Sequence, residues 1–142
     1  MAGDKQVIRT SQMKLIAEHF DGFTALLMGW KAVIHDQTAR VEARWFDPAA
    51  KSSACFKIDF PDIDLAEIAL RLAELRPRYD GHVDDFPHHI LTFEDGGDRI
   101  EVTVNAGIEW PVELQPDIDA FYAIWRPIAK RIESHDAIPK RR

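Results

Sequence analysis

Apolar positions recur along this chain with two different periods. Leu65, Ile68, Ala69, Leu72 and Leu75 fall three and four residues apart. That spacing makes one stripe and predicts a helix over residues 63–76. Asp64 is placed to cap it, with Glu67 three residues on as in a capping box. Glu67–Arg71 and Glu74–Arg78 have i, i+4 spacing, favourable on a solvent face. Pro77 forbids a further regular turn. A second stripe, Ile118, Phe121, Tyr122, Trp125, Ile128, Ala129 and Ile132, predicts a helix over residues 117–134, with Pro116 suited to its first position. Pro127 lies inside this helix. The stripe continues past it in phase, so a kink is expected and not a break.

Elsewhere the period is two. Val41, Ala43 and Trp45 alternate with Arg40, Glu42 and Arg44, and Ala54, Phe56, Ile58 and Phe60 with Cys55, Lys57 and Asp59. These read as a hairpin. Pairing Trp45 with Ala54 matches the apolar faces and sets Glu42 against Lys57 and Arg40 against Asp59, which favours that register. A second hairpin joins residues 90–94 to 99–104 through Gly96-Gly97, a pair suited to a type I′ turn. Its register sets Glu94 against Arg99, Phe93 against Ile100 and Leu91 against Val102. Nearer the N-terminus, residues 13–20 and 23–35 fit two strands joined at Asp21-Gly22; a helix over residues 12–20 is the alternative. The order is β-β-β-β-α-β-β-α. It implies an α+β fold: a mainly antiparallel, hairpin-rich sheet of about six strands with two helices packed on one face.

The chain's 142 residues suit one domain, with residues 1–136 as its body and 137–142 as a short basic tail expected to be disordered. The net charge is −6, and setting aside the +3 of Lys140, Arg141 and Arg142 leaves −9. So acidic a body repels phosphate backbones, which argues against nucleic acid as a partner and for a basic protein. Cys55 is the single cysteine, so no intrachain disulfide can form. No apolar run is long enough to predict a membrane helix, and residues 1–6 lack a signal-peptide pattern. The expected location is cytoplasmic, with no membrane partner.

The densest group of acid/base side chains is Asp80, His82, Asp84, Asp85, His88 and His89. His82, Asp84, Asp85 and His88 could supply metal ligands, although their spacing follows no recognised metal motif. Strand parity sends His89 with Leu91 and Phe93 toward the core and His88 to the opposite face. The polar loop reads better as a recognition surface made of Asp80, His82, Asp84, Asp85 and His88, with Trp110 as an aromatic anchor. No serine lies in a nucleophile elbow, and no phosphate or dinucleotide loop occurs. Cys55 falls on the polar face of its strand. No catalytic residue and no cofactor are therefore expected. The leading expectation is a protein-binding or inhibitory module, of the general character of small bacterial immunity proteins though without a motif that ties it to them. A metal-binding protein or metal-dependent hydrolase is one alternative. The other is a small-ligand carrier with an interior cavity lined by Trp45, Phe56, Phe121 and Trp125.

Overall fold

The computed structural model describes residues 12–20, 27–45, 53–79, 87–105 and 110–138. Seven strands form one sheet: β1 (Met13–Phe20), β2 (Leu27–His35), β3 (Thr38–Trp45), β4 (Ser53–Asp59), β5 (Arg78–Tyr79), β6 (His88–Asp95) and β7 (Asp98–Asn105). Their spatial order is β4-β3-β2-β1-β6-β7-β5, antiparallel throughout except for the two-residue β5, which runs parallel to β7. Among the described residues two helices accompany the sheet, α1 (Leu65–Leu72) and α2 (Gln115–Glu133), the second entered through a 3-10 turn at Val112–Leu114. The N-terminal pair is therefore strand on strand, and the helical alternative for residues 12–20 does not occur. The proposed Asp21-Gly22 turn lies outside the described residues.

Alternation decides which face is buried. Leu15, Ala17, Ala32, Ile34, Val41, Leu91 and Val102 point inward and exclude solvent, while Lys31, Arg40, Glu42, Lys57 and Glu101 point out. The helices bring Leu65, Leu72, Ile118, Phe121, Ile124 and Trp125 into the same core cluster. Ile124 extends the inner stripe of α2 beyond the residues its sequence spacing suggests. The helix runs through Pro127 without a break. Ile138, 3% exposed, also joins the core, two residues beyond the expected end of the body.

Helix α1 is shorter than its sequence predicts. Asp64 caps it, accepting the Glu67 N–H at 3.1 Å, and Arg71 pairs with Glu67 at 2.7 Å. After Leu72 the backbone tightens: Glu74 N–H bonds Arg71 O and Leu75 N–H bonds Leu72 O, both i→i+3. Tyr79 then fastens the two helices together. Its hydroxyl accepts from the Arg76 N–H and donates to Asp117 Oδ2, each at 2.7 Å. This joins the C-terminal end of α1 to the N-terminal end of α2. At the other end Arg131 of α2 lies over the Phe60 ring, just ahead of α1. The two helices run in opposite directions.

The second hairpin has the register its sequence predicts, and Arg99 Nε lies 3.8 Å from Glu94 Oε2. Of the two central glycines only Gly96 takes positive φ (62°), so the turn departs from the expected I′ pattern. The first hairpin is two residues out of the predicted register. Ala43 faces Ala54, Val41 faces Phe56 and Ala39 faces Ile58, which leaves Arg40 opposite Lys57. Inward faces are preserved by a two-residue slip, so patterning does not distinguish the registers. Exposed charge pairs contribute about 0.2–1 kcal/mol each and are overruled. The observed register is held where β3 begins: Phe60 N–H bonds Gln37 O, Gln37 Nε2 bonds Pro61 O at 2.7 Å, and Thr38 Oγ1 bonds Asp59 Oδ1 at 3.2 Å.

The two ends of the sheet differ. Tight turns at Asp36-Gln37 and Gly96-Gly97 close one end. The connections after β1, β3, β5 and β7 all leave from the other. Strand β4 is an edge. The Phe60–Gln37 bond fixes its hydrogen-bonding phase, so Ser53, Cys55, Lys57 and Asp59 turn their backbone groups outward. Arg131 Nε occupies the Asp59 carbonyl at 2.5 Å, and Lys57 projects from mid-strand, both of which discourage strand addition.

Candidate functional site

Asp80, His82, Asp84 and Asp85 lie outside the described residues. His88 starts β6 on the outer face, opposite Asn105 and Phe20. Trp110 is partly buried and packs against the core. Among the described residues no group of three or more His, Cys, Asp or Glu is arranged to hold a metal ion. Three of the four aromatics proposed for a carrier cavity are engaged in ring contacts. Trp125 stacks between Trp30 and His89, Phe121 lies beside it, and Phe56 stacks on His135 at 4.0 Å.

His89 instead enters an aromatic cluster under α2. It pairs across the strands with His19, their rings stacked at 5.0 Å. It also stacks on Trp125 at 4.5 Å, which in turn lies 5.2 Å from Trp30 with the planes 14° apart. His89 Nδ1 and the Tyr122 hydroxyl share a 2.8 Å hydrogen bond, and Trp30 Nε1–H donates to Glu133 Oε2 at 3.0 Å. Burial, with His19 and His88 as like-charged neighbours, pushes the His89 imidazole down to about 3. Burial pushes the Tyr122 phenol up to about 12 against the opposing pull of Arg126, whose guanidinium lies 5.1 Å from the ring centre. Both groups are therefore neutral at pH 7, and the cluster acts as a polar-stitched core layer. Gly29 allows it to form: a Cβ there would run into the backbone carbonyl of His19. Sequence reading placed His89 at the core's edge but did not assign His19, although its parity with Leu15 and Ala17 carries that signal.

The open concavity is elsewhere. Helices α1 and α2 leave between them, above the end of β4, a groove of about 850 Å³. Ile58, Phe60, Ile63, Ile68, Ile124 and Ile128 give it an apolar floor. The α1 side carries Asp62, Asp64 and Glu67, and the α2 side carries Lys130 and Arg131. Pro127 and Ala123 form the lip on α2, both exposed. Proline has no N–H, so the Ala123 carbonyl four residues earlier loses its regular helical donor on the side that faces the groove. No local pattern announces this groove, because its walls come from two segments more than fifty residues apart, 58–71 and 123–135.

The fold is thus an α+β layer pair with a concave groove between its helices. No protein-family model matches the chain, and no curated protein matches it.

Proposed function

We propose that this protein is a protein-binding module whose α1–α2 groove receives an apolar segment of its partner. The groove carries this reading: half-buried Ile63 and Ile68 over the buried Ile58, Phe60, Ile124 and Ile128, rimmed by charge, in a volume within the roughly 300–1,000 Å³ usual for ligand sites. The buried, neutral His89–Tyr122 pair offers no comparable opening. The groove is the primary site in this reading because it combines apolar anchoring with charged flanks; of the surface expected at Asp80, His82, Asp84, Asp85, His88 and Trp110, four residues lie outside the described ones.

Pro127 supports the same reading. A proline in an exposed helix interior costs about 3 kcal/mol relative to alanine. It stands here on the groove lip. Pro127→Ala should therefore raise the unfolding free energy by about 1–3 kcal/mol in urea denaturation while weakening groove binding.

Selection of a displayed random-peptide library on the whole chain tests the proposal. Recovered peptides should share apolar anchors. They should bind at least about tenfold less well to Ala123→Tyr, which fills the lip from an exposed position. Absence of any enriched peptide class, or equal binding to the variant, would sink it.

A further inference from the structure

Resting on the groove reading, we infer that the occupant is an amphipathic α-helix of a partner protein, with carboxylates along one flank and lysines or arginines along the other. The groove is electrically two-sided. Asp62, Asp64 and Glu67 line the α1 wall, and Lys130 and Arg131 face them from α2. Some of this charge is already engaged. Glu67 holds Arg71, the Asp64 carboxylate caps α1, and Arg131 binds the Asp59 carbonyl. Asp62 and Lys130 have no ion pair among the described residues, and both are exposed. The two walls therefore keep a net acidic and a net basic rim above one apolar floor.

The occupant must meet both rims while covering the floor. An extended strand sends its side chains alternately to two opposite faces, so it can cover the floor but has no pair of charged flanks. A helix with a stripe at i, i+3, i+4 and i+7 has flanks on either side of that stripe. Laid along the groove, it would rest on side chains of both antiparallel helices. Its carboxylate flank belongs over Lys130 and its basic flank over Asp62.

The experiment repeats peptide selection on the whole chain as wild type, Lys130→Glu and Asp62→Lys. Wild-type peptides should carry anchors at helical spacing, with acidic residues on one flank and basic residues on the other. Lys130→Glu should weaken a wild-type peptide about tenfold, and reversing the charge of its acidic flank should restore binding. Asp62→Lys should do the same for the basic flank. If anchors persist but flank charges are indifferent to both substitutions, the charge assignment is wrong and the groove reading survives. Anchors alternating at i, i+2 would identify an extended segment and overturn the helix. Failure to recover any peptide that Ala123→Tyr excludes would remove both readings. A dimer in sedimentation that Ala123→Tyr dissociates would also overturn the inference, by making a second copy of this chain the occupant.

Discussion

Between pH 6.5 and about pH 3 the unfolding free energy should fall by about 1.4 kcal/mol for each pH unit through His89 alone. The imidazole is depressed in the folded chain, chiefly by burial. Above pH 6.5 neither folded nor unfolded protein protonates it, and its contribution is constant. Below that, the unfolded chain takes up a proton that the folded chain refuses, so stability declines until the folded pKa is reached. The full loss is about 3–5 kcal/mol. The groups facing His89 act in the same direction or stay silent. His19 on β1 and the neighbouring His88 raise the cost of a charge there, Tyr122 remains protonated, and Arg126 lies beyond the Tyr122 ring. Urea denaturation from pH 7.5 to 5 avoids most carboxylate titration. His89→Asn, whose amide can still meet the Tyr122 hydroxyl, should flatten this limb. An unchanged slope in the variant would assign the acid sensitivity to other groups.

Trp125→Ala should destabilise the protein by about 3–5 kcal/mol. The ring is 4% exposed and stands between Trp30 and His89 with Phe121 alongside. Its removal opens a cavity whose walls come from α2, β2 and β6, three elements fixed by other contacts, so collapse is restricted. For a domain of this length the melting temperature should drop by about 10–20 °C. Trp125→Phe should recover most of the loss, since an aromatic face persists at the same place. If Trp125→Ala melts within 3 °C of the wild type, the cluster is not the keystone its geometry makes it.

The two hairpins show how much of this fold was readable. The Gly96-Gly97 turn leaves two residues between strands, so its register follows once the turn is located. The connection between Trp45 and Ser53 is longer and exerts no such control. There the appeal to facing charges, Glu42 with Lys57 and Arg40 with Asp59, misplaced the pairing by two residues. Strand β5 has two residues and no periodicity to detect; it forms because Pro77 O accepts the Thr103 N–H and Tyr79 is held by Asp117. Helix α2 was legible across Pro127 because its stripe stays in phase. Among the candidate residues, His88 and His89 separated to opposite faces as strand parity requires. The groove was not legible. Nothing in the run around Ile63 or in that around Ile128 says that the two will face each other.

The unequal ends of the sheet set where this chain can change. At the hairpin end, Asp36-Gln37 and Gly96-Gly97 each close strands that carry the core, and one added residue would turn a whole strand inside out. At the opposite end, the connections after β1, β3, β5 and β7 leave from strands held in register by their neighbours. Doubling the length of such a connection costs only about 0.6 kcal/mol in closure entropy. Insertions, tags or grafted segments should therefore be accepted there with little loss of melting temperature. The same insertions at residues 36–37 or 96–97 should not. One end of the molecule is thus a fixed chassis and the other an editable surface, with the groove between the helices built from elements that both leave undisturbed.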